Sequence, residues 1–409
     1  MFKIAIMGCG VVGSGVADIL IDQEAALSKR FNKKVCLDKI LDVRDMEDTP
    51  YAKYLTKDAD VIWNDSDIKL VVMTIGGLDF AYQLTKKALE SGRHVVTSNK
   101  EVVAAYGVEL TKIAFANKVR FLYEASAGGG IPVIRPLNIC LSANDIYEIQ
   151  GILNGTTNYI LTKMSQEGVS FEDALKEAQQ KGYAEADPTA DVDGHDAARK
   201  IAILSSIAYK GFVDYKDVKC TGIRKITSED HKFTEKAGYA IKLIGRSRLL
   251  NGKVSISVEP LLLPSTNLLS AVNSVFNAVL VKGSYTGDTL FYGAGAGKLP
   301  TASAVAGDII EILQNPVEVT LPDFTEKNAE INKSDDSKSK KYIRFTTRAN
   351  SFEVEKLVSN EFSGVFLGSM NDKYGIISSA VSEDELTSLV ASLKNTLNAE
   401  IENIINIVD

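Results

Sequence analysis

The N-terminal part of the chain alternates short apolar runs with stretches of helical periodicity. The apolar runs are rich in β-branched residues and bounded by Gly, Asp or Asn; they are FKIAIM, KILDV, IKLVVMTI, HVVTS and VRFLYEA. Between them, Val12–Leu27, Phe80–Ser91 and Val108–Ala116 place apolar residues at helical spacing. This β-α-β alternation predicts an α/β fold built on a parallel, doubly wound sheet.

Beyond about Pro132 the pattern changes. A helix-rich stretch runs from Thr157 to Lys210, and strand-like runs such as VSISVEPLLL follow it. Helices and strands that no longer alternate predict an α+β unit. We therefore predict a first domain over residues 1–131 and a second over 132–292. The Gly-rich run FYGAGAGKLPTASAVAGDII precedes a helix, which we expect to return to the first domain over about 293–320.

The last part of the chain has a different organisation. Residues 324–341 are nearly all polar and charged, which is typical of a linker or flexible loop. Order resumes over 342–409 with a strand at YIRFTTR, a helix at Phe352–Phe362, strands at GVFLGSMND and YGIISSAV, a helix at Glu383–Leu397 and a strand at Ile401–Val408. This βαββαβ order is the split-βαβ arrangement.

Composition and charge exclude several classes of protein. A net charge of −7 argues against a nucleic-acid-binding surface, which would concentrate Lys and Arg. No apolar run reaches the roughly 18 residues of a membrane span, and the chain starts directly in a strand rather than a signal peptide. The four cysteines form no CxxC pair, so a zinc site or disulfide framework is not expected. A cytoplasmic protein without nucleic-acid or membrane partners is the expectation.

A glycine motif lies between the first strand and the first helix. Gly8, Gly10 and Gly13 form a GxGxxG, with Val11 and Val12 between the last two glycines. In such a loop the first glycine permits a tight turn, the second lets the backbone approach a pyrophosphate, and the third lets helix and strand pack closely. A glycine turn without a ligand is the alternative, but the strand-turn-helix context favours a Rossmann-type NAD(P)-binding domain.

The end of the second strand bears on the choice between NAD and NADP. An acid there binds the ribose 2′-hydroxyl of NAD, whereas an Arg accommodates the 2′-phosphate of NADP. Asp42 and Arg44 offer both. The sequence leaves this choice open, and solvated turn charges remain an alternative.

The stretch from Gly182 to Leu204, GYAEADPTADVDGHDAARKIAIL, is the most informative in the chain. Its DVDG run is similar to part of a calcium loop, with Asp191 and Asp193 at the third and fifth positions. The twelfth position is then Lys200, where such a loop requires a bidentate Glu. A calcium loop is therefore excluded.

The same stretch predicts a buried ion pair. At 100° per residue, Asp196 and Lys200 fall in an apolar stripe with Ile203 and Ile207. Burying a charged pair is costly unless something requires it. A structural pair is one reading; a lysine that donates a proton to a developing alkoxide is the other. Glu185, in the preceding loop, is near enough to join the same pocket.

These residues resemble a known family. GYAEADPTADVDGHDAARK resembles the signature of homoserine dehydrogenases, approximately GY-x-E-x-DP-x-x-D-x-x-G-x-D-x-x-RK. Five further segments are similar to that family in the same order: GCGVVGSGV, TSNKEVVA, YEASAGGGIPVI, GILNGTTNYIL and GAGAGKLPTASAVAGD. The resemblance covers Met1 to about Ile312. It implies reduction of L-aspartate 4-semialdehyde to L-homoserine with NADPH or NADH, in threonine and methionine biosynthesis.

The resemblance also implies roles for individual residues. Lys200 matches the lysine that protonates the carbonyl oxygen as hydride arrives. Asp196 and Glu185 match carboxylates that hold the substrate ammonium. Lys100 matches a lysine close to both nicotinamide and substrate, which implies a catalytic role in proton transfer or a contact with the substrate carboxylate. A solvated lysine is the weaker alternative, because helix starts disfavour cations.

Other segments match the substrate pocket and the nicotinamide end. Tyr183, Gly155 and Thr156 are similar to family positions that line the substrate pocket, although the Asn and Thr residues of NGTTN are equally typical of a helix N-cap. In the late Gly-rich loop, Gly297 would face the nicotinamide.

Family members also bind a monovalent cation, Na⁺ or K⁺, around YEASAGGGI. The resemblance implies ligation by the Glu124 side chain and the backbone carbonyls of Ala127, Gly129 and Ile131. A Gly-rich turn without an ion is the alternative.

The tail resembles an ACT regulatory domain, as in longer homoserine dehydrogenases that respond to threonine. The usual D-x-x-G turn after the first strand is replaced by Arg348–Phe352, which has no glycine. An amino-acid effector and a role in assembly alone are both open. The family implies a homodimer or dimer of dimers, because its middle sheet pairs across subunits.

Three rival readings are weaker. An aspartate-semialdehyde dehydrogenase would need a nucleophilic Cys with a His partner, and no Cys lies in such a motif. With only three histidines, a His-based 2-hydroxy-acid dehydrogenase is weak as well. A non-catalytic sensor of NAD(P)H or amino acids would not need Lys100, Glu185, Asp196 and Lys200 together. A monofunctional enzyme is the expectation.

Overall fold

In the part of the chain that the structure describes, the first sheet contains six parallel strands. The computed structural model describes residues 1–316, 322–332 and 338–408. The strands are β1 (Phe2–Met7), β2 (Val35–Leu41), β3 (Leu55–Thr56), β4 (Ile68–Met73), β5 (His94–Thr97) and β6 (Phe121–Leu122). Their order is β3-β2-β1-β4-β5-β6, which is that of the Rossmann fold. The central strands are almost continuously apolar because helices cover both faces.

Three of the five helices described in this region match predicted ones, and the largest difference is at the start of α4. The five are α1 (Val11–Arg30), α2 (Asp60–Trp63), α3 (Asp79–Glu90), α4 (Lys100–Ala116) and α5 (Ala125–Gly128). Helix α4 begins eight residues before the predicted Val108, since Asn99 accepts hydrogen bonds from the Glu101 and Val102 amides. The strand predicted at VRFLYEA shortens to β6 because the chain turns into α5.

The middle region is an α+β unit. Its helices are α6 (Gly155–Glu167), α7 (Phe171–Gln180), α8 (Thr189–Val192), α9 (His195–Ala208) and α10 (Ser228–Lys236). Its strands are β7 (Ile146–Ile152), β8 (Lys219–Cys220), β9 (Tyr239–Leu250), β10 (Lys253–Pro264), β11 (Phe276–Gly283) and β12 (Gly287–Ala294). Helix α9 lies on one face of this sheet, where Ile201 packs in the same buried cluster as Ile149 and Val258.

Helix α11 (Lys298–Gln314) returns to the first sheet. Its buried face, with Val305 and Ile309, shares a hydrophobic cluster with Val16 and Leu20 of α1. The two helices come close at Gly15, where a Cβ would lie 2.8 Å from the carbonyl oxygen of Lys298.

The tail has the βαββαβ order that the sequence predicts. Its elements are β13 (Lys341–Thr346), α12 (Ser351–Phe362), β14 (Val365–Met370), β15 (Lys373–Ile377), α13 (Glu383–Leu397) and β16 (Glu400–Ile407). The strands lie in the order β16-β13-β15-β14. Strand β16 also pairs with β10, with Leu261 opposite Asn406, so the tail extends the middle sheet to ten strands among the described residues.

Buried polar contacts join the tail to α10. Asp230 is fully buried, and its Oδ1 accepts from Arg344 Nε at 2.8 Å and from the Tyr342 hydroxyl at 2.9 Å. Asn403 Nδ2 donates to Asp230 Oδ2 at 3.3 Å, and Arg344 also pairs with Glu402. The tail therefore belongs to the same packed structure as the middle region.

The polar run predicted as a linker is anchored where the structure describes it. Phe324 is buried in the main core, and isolated bridges join Asn328 to Phe212 and Ile331 to Val254. Apolar anchors among polar residues thus hold residues 324–332 against the middle region. Residues 333–337 of the predicted linker lie outside the described residues. Within the described ranges, no helix has the length and apolar character of a membrane span.

Candidate active site

Three chain segments converge at the carboxyl ends of β5 and β7. Lys100 opens α4 directly after β5, Asp196 and Lys200 lie on the first turns of α9, and Leu153 and Asn154 follow β7. The carboxyl end of a parallel sheet is where ligands bind in open α/β folds. The cluster therefore lies where such a fold places its chemistry.

Asp196 stands between two lysines. It is 3% exposed, with Lys200 Nζ 2.8 Å from Oδ2 and Lys100 Nζ 2.6 Å from Oδ1. One lysine comes from its own helix, four residues on, and the other from the first domain. The prediction of a buried Asp196–Lys200 pair is thus realised in the geometry, and Lys100 is part of it rather than a solvated helix start.

Asn154 and Asp191 complete the cluster, and sequence reasoning gave neither a role there. Asn154 Nδ2 donates to Asp191 Oδ1 at 2.7 Å and to Asp196 Oδ2 at 3.0 Å. Lys200 Nζ also donates to the carbonyl oxygen of Leu153 at 2.8 Å. The sequence does carry a signal for each: Asp191 is the first aspartate of the DVDG run, where the pattern suggests a calcium ligand, and Asn154 is the first Asn of NGTTN, where it suggests a helix cap.

The charges of the cluster depend on one another. Burial acts to raise the pKa of the Asp196 carboxyl, but Lys200 and Lys100 outweigh it and hold that pKa well below its ordinary value. Burial acts to lower the pKa of Lys100, and Asp196 outweighs it, so the net shift is upward. For Asp191, burial raises the pKa; the hydrogen bond from Asn154 opposes that shift and the charge of Asp196 adds to it. An anion flanked by cations is the stable state.

The loop before α8 approaches this cluster through its backbone. Thr156 Oγ1 donates to the carbonyl oxygen of Tyr183 at 2.6 Å, and Gln179 Nε2 donates to that of Glu185 at 3.1 Å. The side chains of Tyr183 and Glu185 are exposed. In the part of the chain that the structure describes, Glu185 makes no ion pair with Lys100 or Lys200. The predicted contact of Glu185 with the pocket is not present in the structure.

The glycine loop has the geometry that a dinucleotide pyrophosphate requires. Gly8 has a φ of +96°, and a Cβ on Gly13 would overlap the carbonyl oxygen of Gly8. Around Gly10 the space is open, with no heavy atom within 4 Å of where a Cβ would stand. Helix α1 has no side-chain N-cap, so the amides of Val11 and Val12 remain available to an anion.

Asp42 and Arg44 bind each other at the end of β2. Oδ1 of Asp42 accepts from the Arg44 amide at 3.0 Å and Nε at 2.9 Å. Oδ2 accepts from Arg44 Nη2 at 2.8 Å and from the Cys9 amide at 2.7 Å. The bonds from Arg44 lower the pKa of Asp42 far below its ordinary value. The Arg44 side chain remains 56% exposed.

Two glycine-rich segments, one around Gly129 and the other around Gly295, lie against each other. A Cβ on Gly129 would overlap the carbonyl oxygen of Gly295, and the Gly130 amide donates to the Ala294 carbonyl at 3.0 Å. Gly297 precedes α11 with a φ of +121°. The structure thus brings the predicted cation-binding bend against the late Gly-rich loop.

The prediction that the Glu124 side chain binds a cation is not supported by its contacts. Its Oε1 accepts from the amides of Val133 and Ile134, at 2.6 and 2.8 Å, and its Oε2 from that of Arg135 at 2.7 Å. The carboxylate instead accepts hydrogen bonds from the backbone at the end of the same bend. Among the described residues, no group of three or more His, Cys, Asp or Glu could hold a metal ion.

Comparisons of the sequence with family models and with known proteins all point to one enzyme family. Family models described as "Homoserine dehydrogenase, NAD binding domain" and "Homoserine dehydrogenase" match residues 8–124 and 132–310. The homoserine dehydrogenase of Bacillus subtilis is 45% identical over 318 residues, 76% of this chain and 73% of that protein. That of Helicobacter pylori is 35% identical over 416 residues, covering 100% of this chain and 97% of the relative.

Solved structures extend the similarity to the whole fold. A homoserine dehydrogenase from Thiobacillus denitrificans superposes with a TM-score of 0.89 at 34% identity, covering 100% of this chain and 98% of that one. A hyperthermophilic archaeal homoserine dehydrogenase in complex with NADPH gives a TM-score of 0.65 at 28% identity, covering 78% and 99%.

Proposed function

This chain belongs to the homoserine dehydrogenase family, and we propose that the cluster of Lys100, Asp196 and Lys200 carries out its reaction. The enzyme is an NAD(P)-dependent oxidoreductase that interconverts L-aspartate 4-semialdehyde and L-homoserine. The observation that supports this placement is the buried Asp196 held between one lysine of each domain. When bound, the reduced nicotinamide supplies the hydride to the aldehyde carbon.

Lys200 is the proposed proton donor. An ammonium group has three N–H donors, and Lys200 uses two of them on Asp196 and the Leu153 carbonyl. The third is left for the substrate carbonyl oxygen, which gains negative charge as hydride arrives. Lys200 stabilises that charge and then transfers a proton to the oxygen.

The zwitterionic end of the substrate needs one cation and one anion. Lys100 forms an ion pair with Asp196 and is the proposed partner of the substrate α-carboxylate, together with the amides of Gly155 and Thr156 at the start of α6. Both oxygens of Asp196 already face lysines, so we assign it to holding them rather than to the substrate ammonium. Asp191, which bonds Asn154 through Oδ1, and Glu185, on a loop beside Tyr183, are the proposed ammonium partners.

The experiment that tests the function is homoserine oxidation, followed by the absorbance of the reduced nicotinamide, with NAD or NADP. We expect turnover that saturates with homoserine. A folded protein that binds NADPH but shows no turnover with either cofactor would instead favour the non-catalytic sensor.

The Asp42–Arg44 geometry favours NADP. A ribose 2′-hydroxyl needs a free acceptor on the acid, yet each oxygen of Asp42 already accepts two hydrogen bonds. The exposed guanidinium of Arg44 is held in place by the same bonds and is suited to a 2′-phosphate.

We expect Arg44→Ala to lower kcat/KM for NADP by about 10- to 100-fold and to change that for NAD by less than about threefold. A hydrogen bond to a charged group contributes ~1.5–3 kcal/mol, and ~1.4 kcal/mol is a factor of ten. Initial rates with both cofactors measure the effect. Arg30→Ala, at the far end of α1, is the matched control. An equal loss with both cofactors would rule out the 2′-phosphate contact.

The face of the middle sheet that carries Glu148, Gln150 and Tyr292 is the proposed subunit interface of a homodimer or dimer of dimers. On this face Glu148 pairs with Arg246 at 2.6 Å and Lys282 at 3.2 Å, and Gln150 is buried with its Oε1 unpartnered among the described residues. Tyr292 is 55% exposed. We expect light scattering to give twice the chain mass or a multiple of it; a monomer at micromolar concentration would contradict the interface.

The tail is the proposed ACT-like unit, with an amino-acid effector or assembly as its role. The turn Arg348–Phe352 lacks the usual glycine, which favours assembly. Activity with and without added threonine separates the two roles. The proposed domains are the NAD(P)-binding domain over 1–131 with its return at about 293–320, the substrate domain over 132–292, and this unit over 342–409, in a cytoplasmic enzyme.

A monovalent cation remains part of the proposal, with changed ligands. Backbone carbonyls of Ala127, Gly129 and Ile131 are the proposed donors, because the Glu124 carboxylate is occupied by three amides. Activity in Na⁺ or K⁺, compared with a bulky organic cation at equal ionic strength, tests it.

A further inference from the structure

Asn154 connects more groups of the site than any role as a helix cap requires. It lies between β7 and α6 and is 6% exposed. Its Oδ1 accepts from the Thr157 amide at 2.9 Å and the Thr157 hydroxyl at 3.1 Å. Its Nδ2 donates to Asp191 at 2.7 Å and Asp196 at 3.0 Å. One amide group thus binds a helix end and two carboxylates.

The orientation of this amide is determined by its neighbours. The helix start presents hydrogen-bond donors to Oδ1, and the two carboxylates present acceptors to Nδ2. A flipped amide would place an oxygen against both carboxylates and an N–H₂ group against the Thr157 amide, so the bonds to all three of these groups would be lost. The cap therefore fixes the direction in which Asn154 donates.

The same end of β7 also holds the lysine. Lys200 Nζ donates to the carbonyl of Leu153, the residue before Asn154, and to the Asp196 oxygen that Asn154 also binds. Two adjacent residues thus orient both members of the ion pair. Asp191 and Asp196 carry like charges, which repel unless donors lie between them.

We propose that Asn154 is a positioning residue for the reaction: its amide holds Asp191 and Asp196 side by side, so that Lys200 keeps its free N–H directed at the substrate oxygen. The proposal rests on the proposed role of Lys200. Of the common capping residues, Ser, Thr and Asp can replace the acceptor, but none supplies two N–H donors.

The electrostatics of Asp191 give the proposal a distinctive readout. The groups that face Asp191 are Lys100 from α4 and Asp196 and Lys200 from α9. Burial raises the pKa of Asp191, and the hydrogen bond from Asn154 acts against that shift. Removal of the bond therefore raises the pKa of Asp191 further. As the pH is lowered, activity that needs the ionised form of Asp191 then begins to fall at a higher pH than in the wild type.

The test is Asn154→Ser, which keeps a capping oxygen and removes both N–H donors. We expect kcat to fall by about 10- to 100-fold, since lost bonds to charged groups are worth ~1.5–3 kcal/mol at ~1.4 kcal/mol per tenfold. The acid limb of the kcat/KM profile should move to higher pH, while NADPH affinity stays within about twofold. Asn154→Asp, which caps but adds a third carboxylate, should lose more activity than Asn154→Ser.

The matched control is Asn350→Ser at the start of α12, where Oδ1 accepts from the Glu353 amide at 3.0 Å. It changes a helix cap without touching the cluster, so we expect a similar loss of thermal stability and unchanged kinetics. If Asn154→Ser also leaves kcat, KM and the acid limb at wild-type values, Asn154 is only a cap and the proposal fails.

A second comparison identifies the titrating group. In an Asp191→Asn background, Asn154→Ser should no longer move the acid limb; a shift that persists there would overturn the link to Asp191. This readout does not depend on the proton donor. If Lys200→Met kept full activity, the role of Lys200 would fail, whereas the shift on Asn154→Ser would still report whether Asn154 governs the carboxylates.

Discussion

Lys200→Met is expected to lower kcat by about 10²- to 10⁴-fold, the range that a positioned proton donor contributes. Methionine keeps much of the lysine's length and apolar volume but has no proton to give and no charge to meet the developing alkoxide. The affinity for NADPH should change little, because the glycine loop lies on α1 and β1 rather than on α9. Steady-state rates with saturating homoserine measure the loss.

The adjacent Arg199 provides the control. Its guanidinium stands over the ring of Tyr215, 5.4 Å from the centroid, on another side of the same helix. Arg199→Met removes a cation of similar size from α9 without touching Asp196, so we expect kcat within about threefold of wild type. A Lys200→Met enzyme that also stays within threefold would contradict the role of Lys200 and leave Lys100 as the remaining lysine of the cluster.

The largest effect on stability is expected from Arg344→Met. Arg344 is the cation that faces the fully buried Asp230, at 2.8 Å from its Oδ1. Breaking a buried pair leaves an uncompensated charge and costs ~3–5 kcal/mol. The hydrogen bonds from Tyr342 and Asn403 remain but carry no charge. Unfolding in urea, followed by circular dichroism, measures the change in the free energy of unfolding.

Two further variants show whether charge is the cause. Arg348→Met removes an exposed arginine from the same tail and should change the free energy of unfolding by less than about 0.5 kcal/mol. Asp230→Asn combined with Arg344→Met removes both charges and should recover much of the loss, because neither is then left unpaired. A double variant as unstable as Arg344→Met alone would mean that packing, and not the buried charge, sets the cost.

Helices and strands with strong local sequence signals have the bounds that the sequence predicts. Helix α13 has the predicted bounds, Glu383–Leu397, since Ser382 and Glu385 form a capping box and Asn398 ends the helix in a left-handed conformation. Strand β1 also has its predicted bounds. Short elements were missed: β3 and α2 have two and four residues, too few for a periodic pattern to appear.

The active site was predictable in part for the same reason. Asp196 and Lys200 are four residues apart on one helix, so a helical wheel places them together in the apolar stripe. The bond from Lys100 to Asp196 joins residues far apart in the chain, and only the family resemblance grouped them. Asn154 has two local acceptor contacts, which are visible as a cap, and two donor contacts that appear only once α8 and α9 lie beside the end of β7.

The sequence alone determined the fold class, the glycine loop, the βαββαβ order of the tail and the residues that resemble the family, because each depends on spacing along the chain. Tertiary structure alone decided four contacts. Arg44 hydrogen-bonds both carboxylate oxygens of Asp42, the Glu124 carboxylate accepts from three amides, β16 of the tail pairs with β10, and Asp196 lies between two lysines. The last two depend on which distant segments meet, and that is set by strand pairing and by the shared burial of apolar faces. The first two depend on the conformation of one turn and one bend, which residue spacing alone does not give. A charge is costly to bury until its partner arrives, so the ionic contacts of this protein form only with the packing that brings the partner.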